Sequence, residues 1–149
     1  MKILITGGAG YIGSHMVKLL GLRGCEVTTL DDLSSGHRDA VLHGEFIQGS
    51  LADKALLDRV LSQGFDAVMH FAAKSLVGES VEKPDLYEQV NVGGSKALLS
   101  KMKDHGISKL VFSSTAATYG EPKRIPISED DQPAPKNPYG ATKLRIDQM

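Results

Sequence analysis

Apolar residues recur along this chain in two alternating rhythms, short continuous runs and helical stripes. Lys2 to Thr6 is an apolar, β-rich run with glycines behind it, the pattern of a buried parallel strand. Ile12 to Leu22 carries a stripe at Ile12, Met16, Leu19 and Leu20, and Gly24 stands where such a helix ends. Glu26 to Leu30 predicts a second strand, closed by Asp31-Asp32, and Glu45 to Ile47 a short third. Asp53 is placed to cap a helix running to about Gln63, with Leu56, Leu57, Val60 and Leu61 facing inward. Asp66 to Phe71 predicts a fourth strand, and Pro84 suits the first turn of one long helix ending near Gly106. Lys109 to Ser113 predicts a fifth strand. A loop rich in Pro and charge covers Gly120 to Pro138, and a last helix begins near Tyr139.

Strands alternating with helices predict an α/β fold, a Rossmann-type doubly wound parallel sheet covered on both faces. The length of 149 residues suits about one domain, covering 1–149. The helical pattern is still running at Met149, with no sixth strand after it. The expectation is an N-terminal portion of a longer protein, truncated after the fifth strand and the Tyr139 helix. An open sheet edge there makes a homodimer a candidate assembly.

Composition changes this picture little. Lys and Arg total 17 against 18 Asp and Glu, scattered along the chain, so neither nucleic acid nor a cation sink is an expected partner. The lone Cys25 cannot form an internal disulfide, which fits a reducing compartment. The five histidines lack the spacing of a zinc site, and no metal is expected. The first apolar run is too short for a signal peptide or membrane span, so the expected location is the cytoplasm, with no membrane partner.

The candidate chemistry begins at the first strand–helix turn. Gly7, Gly10 and Gly13 fall at G-x-x-G-x-x-G spacing. Such a turn needs backbone that reaches positive φ and approaches a phosphate with no Cβ in the way. The helix behind it offers unpaired N–H groups and a positive dipole end. Alone the pattern also fits a tight turn that binds nothing. The strand–turn–helix–strand context strengthens it, as does Asp31 at the end of the second strand. That carboxylate suits the ribose hydroxyls of NAD and repels the 2′-phosphate of NADP, so residues 1–149 are expected to form an NAD-binding domain.

Tyr139 and Lys143 form Y-x-x-x-K and share one face of the last helix. A phenol with a reference pKa of about 10 is a poor base at neutral pH. A nearby ammonium and a positive nicotinamide ring stabilise its phenolate, which can then take a proton from a substrate hydroxyl. Thr115, in Ser113-Ser114-Thr115, follows the fifth strand at the carboxyl edge of the sheet, where its hydroxyl can hold the reacting oxygen. The plainer readings are a surface helix pair and a loop hydroxyl bonded to its own backbone.

These stretches resemble the extended short-chain dehydrogenase/reductase family. The likeness runs from Thr6–His15 through Asp31–Leu33 with Ser34–Gly36, His70–Ala73, Val77–Ser80 with Pro84, and Asn91-Val92, to Phe112–Gly120 and Pro138–Lys143. The Val77-Gly78-Glu79-Ser80 stretch and the segment ending in Tyr119-Gly120 are similar to its epimerase members. The resemblance implies that Tyr11 and Ile12 lie along the pyrophosphate of NAD. It implies that Asp31, Asp32, Leu33, Ser34, Ser35 and Gly36 line the adenosine, and that Ser50 and Leu51 flank the adenine. Phe71, Ala72 and Ala73 would pass under the cofactor with Ser75 nearby, and Asn91 would support the strand near the nicotinamide. Thr115, Tyr139 and Lys143 would be the catalytic set. The sequence departs from the family pattern at Asp32, where Asn is common, at Ser50, where Asp is usual, at Thr115, where Ser is common, and at Ser75, where some members carry Lys.

The implied activity is NAD-dependent inversion at the sugar 4-position of a UDP-hexose (UDP-glucose or UDP-galactose) through a transient 4-keto sugar. The implied partner is a UDP-sugar substrate, which the resemblance assigns largely to a C-terminal substrate-binding portion that this sequence would lack. The alternatives are epimerisation of a UDP-pentose or uronate, a sugar-nucleotide dehydration, or an NAD-binding module inactive as an isolated fragment. A dehydratase would carry an acidic pair near Thr115, which Ala116-Ala117 does not supply.

Overall fold

The computed structural model describes all 149 residues. The chain forms two compact units, residues 1–73 with 97–113, and residues 74–96 with 114–149.

The first unit holds a five-stranded parallel sheet in the order β3-β2-β1-β4-β5. The strands are β1 (Lys2–Thr6), β2 (Glu26–Asp31), β3 (Glu45–Gln48), β4 (Ala67–His70) and β5 (Leu110–Phe112). Successive β1 residues face opposite layers, as a strand's period of two requires. Leu4, with Leu30 and Val68, packs against Leu56, Leu57, Val60 and Leu61 of α2 (Lys54–Leu61) and against Leu98 and Met102 of α5 (Gly94–Asp104). Ile3 and Ile5, with Val27, pack against Val17, Met16 and Leu20 of α1 (Tyr11–Leu22). The expected doubly wound parallel sheet is therefore present. The chain leaves β1 toward β2 on one side and resumes at β4 on the other, so a switch point opens at the carboxyl ends of β1 and β4.

Helix ends follow the local chemistry. Asp53 caps α2 by accepting from Leu56 N–H at 2.9 Å. Gly24 and Gly106 take φ of +75° and +68° just past α1 and α5, conformations that stop a helix at little cost. Most boundaries differ from expectation by one or two residues. β4 and β5 are shorter at both ends than the apolar runs around them, and α2 stops at Leu61.

The second unit contains α3 (Val77–Glu82), α4 (Pro84–Tyr87), the first residues of α5 and α6 (Pro138–Asp147). The long helix expected from Pro84 to Gly106 needs correction. It is divided by a π-helical segment, Glu88–Gly93, that joins α4 to α5. The buried Asn91 side chain lies within that segment and turns to the backbone of Lys74, seventeen residues earlier, rather than serving the helix. Such wide turns often accompany functional sites. No helix in the chain is long and apolar enough to cross a membrane.

Candidate functional site

In the first unit, four strand ends carry predicted cofactor residues. Gly7 follows β1, Asp31 ends β2, Ser50 and Leu51 follow β3, and Phe71, Ala72 and Ala73 follow β4. Backbone bonds extend the sheet past these ends. Gly7 N–H donates to Leu30 C=O at 2.9 Å, Phe71 N–H to Thr6 C=O at 2.8 Å, and Gly49 N–H to Asp31 C=O at 3.0 Å. Below them Thr6 Oγ1 and His70 Nδ1, both buried, stand 2.6 Å apart and tie β1 to β4.

The three turn glycines differ in what requires them. Gly7 has φ of +75°, and a Cβ there would collide with the backbone N of Ala72. A Cβ at Gly13 would collide with the Gly7 carbonyl oxygen. Packing within the chain therefore demands both. Gly10 has φ of −77°, and its Cβ would meet nothing closer than 3.4 Å, again at the Gly7 carbonyl. The fold itself asks little of Gly10. It is the N-cap of α1, has no side-chain cap, and no acidic residue follows in the first turn. A bare helix N-terminus with open space above its cap is suited to an anionic group. Tyr11 and Ile12 are exposed beside it, with the Tyr11 ring edge-on to His15.

Asp31 is 9% exposed and is bound from both sides. One carboxylate oxygen accepts from Ala9 N–H at 3.0 Å and the other from Leu33 N–H at 2.8 Å. Leu33 takes a positive φ of 60° there, and His37 N–H reaches back to Ala9 C=O at 3.0 Å. Asp31 thus holds the 31–37 loop against the glycine turn, a structural duty that the sequence did not disclose. Asp32, Ser34 and Ser35 are exposed, and Asp32 closes a small turn onto Ser34 N–H at 2.8 Å. Gly36 lies against Ala9, where a Cβ would stand 2.7 Å from its carbonyl carbon. Ser50 is exposed and accepts from Ala52 N–H at 3.2 Å, while Leu51 packs into the α2–α5 core.

The second unit holds Ser75, Asn91, Thr115, Tyr139 and Lys143. Asn91 is fully buried. Its carbonyl oxygen accepts from Lys74 N–H at 2.8 Å, and its amide donates to Lys74 C=O at 3.0 Å and to Thr142 Oγ1 at 3.2 Å. Ser75, next in the chain, is exposed. Asn137 caps α6 by accepting from Gly140 N–H at 2.8 Å, with Pro138 in the first turn. Tyr139 therefore sits at the positive end of the α6 dipole. Gly140 lets that turn press on the Ala116–Thr118 turn, since a Cβ there would come 2.5 Å from the Ala117 carbonyl oxygen. This contact brings the Thr115 loop beside the Tyr139 turn. Thr115 Oγ1 accepts from Ala117 N–H at 3.2 Å, so the plainer reading of a hydroxyl bonded to its own backbone holds, and its O–H remains a donor.

Lys143 is 3% exposed, and burial pushes its ammonium down to about 8, against an opposing pull from Asp147. A further network escaped sequence reasoning. The Tyr87 hydroxyl accepts from Leu76 N–H at 3.0 Å and lies 2.8 Å from Leu76 C=O and 3.0 Å from the Glu79 carboxylate. Glu79 also pairs with Lys74 at 3.6 Å and Lys83 at 3.7 Å. Burial pushes the Tyr87 phenol up, and its hydrogen bond holds the Glu79 carboxyl below the usual range.

The chain is 53% identical over its whole length to a UDP-glucose 4-epimerase of Halalkalibacterium halodurans, covering 45% of that protein. The UDP-glucose 4-epimerase of Brucella ovis, solved in complex with NAD, superposes with a TM-score of 0.97 at 45% identity, over 99% of this chain and 46% of that one. The enzyme of Bifidobacterium longum, solved with NAD+ and UDP, superposes with a TM-score of 0.94 at 35% identity, over 99% of this chain and 47% of that one. The chain thus spans about half the length of the relatives it matches. The sequence pattern of the NAD dependent epimerase/dehydratase family matches residues 3–149, and the chain belongs to that family.

Proposed function

We propose that this chain is the cofactor-binding and proton-transfer portion of an NAD-dependent UDP-hexose 4-epimerase. The observation that carries the reading is Gly10, a glycine the fold does not need, at the uncapped N-terminus of α1 and at the switch point of the sheet. An approaching pyrophosphate supplies the reason for it. Gly7, Gly13, Tyr11 and Ile12 would hold that group, and the 31–36 segment with Ser50 and Leu51 would hold the adenosine. Asp31 has lone pairs left for ribose hydroxyls after accepting two N–H groups. Phe71 to Ala73, Ser75 and Asn91 would serve the nicotinamide half.

NAD, when bound, supplies a reversible acceptor for the hydride of the sugar C4 carbon. The residues supply the proton chemistry. The Tyr139 phenolate takes the 4-hydroxyl proton, favoured by the α6 dipole and by the charge on Lys143. Thr115 donates its O–H to the same oxygen. Tyr139 would hold the proton while the sugar is a 4-ketone, and would return it to the same oxygen when the opposite configuration at C4 is formed. The relatives solved with NAD, and the one solved with UDP, support this assignment for a chain of such identity.

A second reading is an NAD-binding module without turnover of its own. Calorimetric titration of the chain with NAD and NADP, beside an assay of UDP-galactose conversion, separates the readings. The expected result is saturable NAD binding, weaker for NADP. Conversion by the full-length protein supports the epimerase, and conversion by the 149-residue chain itself excludes the inert module. Tighter binding of NADP than NAD overturns the cofactor assignment, and a full-length protein that leaves UDP-galactose unchanged overturns the epimerase.

A further inference from the structure

α6 carries a second ionisable pair, Lys143 with Asp147, of which the proton-transfer scheme uses only the lysine. Asp147 stands four residues beyond Lys143, the spacing that puts two side chains on one helix face. Its carboxylate does not swing free. Ser114 Oγ donates to Asp147 Oδ2 at 2.5 Å, joining the residue before Thr115 to the last turn of α6. One exposed strap thus connects the Thr115 loop with the helix that carries Tyr139 and Lys143.

The other charges near α6 are paired elsewhere or exposed to solvent. On its own helix, Arg145 pairs with Glu88 of the π-helical segment. On α3, Glu79 is taken up by Lys74, Lys83 and Tyr87. Glu82 of α3 and Asp85 of α4 are exposed, and the Ala116–Thr118 turn carries no charge. Asp147 acts on Lys143 against the cost of burial. Removing a buried ammonium from water favours its neutral form, and a fixed anion one helical turn away restores the charged form.

We propose that Asp147, held in place by Ser114, is a positioning residue that keeps the buried Lys143 ammonium charged beside Tyr139. This deepens the epimerase reading and rests on it for its purpose, because a neutral Lys143 cannot stabilise a phenolate. The hydrogen bond and the charge are separable roles. Asparagine at 147 can still accept from Ser114 but carries no charge. Alanine at 114 releases the carboxylate but leaves its charge.

The test follows the titration of Lys143 itself in the 149-residue chain, by NMR of lysine side chains labelled at Cε and Nζ, assigned by a Lys143→Met variant. Asp147→Asn is expected to lower the Lys143 midpoint by about half a pH unit or more. Asp147→Glu is expected to return it toward the parent value, and Ser114→Ala to lower it by less than Asp147→Asn. Backbone spectra matching the parent confirm that each variant is folded. An unchanged Lys143 midpoint in folded Asp147→Asn overturns the inference, as does a larger change in Ser114→Ala. No cofactor or substrate enters this measurement. An unmoved midpoint in a chain that still binds NAD therefore rejects the role of Asp147 alone, whereas a shifted midpoint in a chain that ignores NAD rejects the cofactor assignment and leaves the electrostatic coupling standing.

Discussion

The side chain of Asn91 reaches Thr142, 51 residues later, at 3.2 Å, while the same amide holds both backbone groups of Lys74. One buried residue thereby joins the segment entering α3, the π-helical turn and the residue preceding Lys143. A buried amide with every partner in place stabilises little in net terms, but its loss strands polar groups away from water. Asn91→Leu leaves the Lys74 N–H and C=O and the Thr142 hydroxyl short of a partner. The expected loss is about 2 to 4 kcal/mol by urea denaturation, against about 1 to 2 kcal/mol for Thr142→Val, which removes the bond from Asn91 and the one that Thr142 donates to Tyr139 C=O. Equal losses in the two variants would show that the brace does not depend on Lys74.

Gly10 and Gly13 separate binding from folding. Gly13→Ala places a methyl on the Gly7 carbonyl and is expected to lower stability by at least about 2 kcal/mol, seen as a lower urea midpoint. Gly10→Ala meets only a 3.4 Å contact and is expected to fold with a near-parent midpoint. Its added methyl stands where a phosphate would approach, so calorimetry should show NAD affinity reduced at least about tenfold. A stable Gly10→Ala chain with unchanged NAD affinity would remove the central support for the cofactor site.

Thr29 carries the one orphan in the core of the first unit. It is fully buried in β2, and its hydroxyl has no hydrogen-bond partner. Valine has nearly the same shape and no polar atom to desolvate. Thr29→Val is therefore expected to raise the midpoint of thermal unfolding, with a gain of about 1 kcal/mol. The methyl lies against Gly8, where a Cβ would stand 2.6 Å from Thr29 Cγ2 and 2.9 Å from Oγ1, so the shape has to be kept. Serine at 29 keeps the orphan and loses that methyl, and is expected to destabilise.

Much of this architecture was legible because it depends on local chemistry. The run from Lys2 to Thr6, the stripe at Leu56, Leu57, Val60 and Leu61, the cap at Asp53 and the stop at Gly24 each act over a few residues. What stayed hidden depends on distant partners. The π-helical turn at Glu88–Gly93 answers to Lys74, and no spacing within the helix reports that. α3 contains Gly78 and two valines, poor helix formers, and its first turn lies against the Tyr87 hydroxyl, a partner eight residues past Glu79. Asp31 was legible as a candidate ligand residue but not as the acceptor of two backbone N–H groups, because the positive φ of Leu33 is a property of the folded loop. Asp147 attracted no notice because Ser114 lies 33 residues away in sequence.

Lys143 should leave its own mark on the pH dependence of stability. Burial holds its folded-state value at about 8, below its ordinary value of 10.5. Below pH 8 the ammonium is charged in both states, and the folded chain bears the full cost of burying it. Between pH 8 and 10.5 the unfolded chain binds more protons than the folded one, so this group makes stability rise with pH. Above 10.5 it is neutral in both states and the effect is complete. The size follows from about 1.4 kcal/mol for each pH unit, about 3 kcal/mol in all. Other groups titrate over the same range, so the measurement compares the parent with Lys143→Met by urea denaturation at each pH, without cofactor. The parent is expected to gain on the variant by about 3 kcal/mol from pH 7 to pH 11. A difference that stays flat across that range would mean that the folded chain accommodates the charged ammonium as well as water does, and Lys143 would then need no help from Asp147.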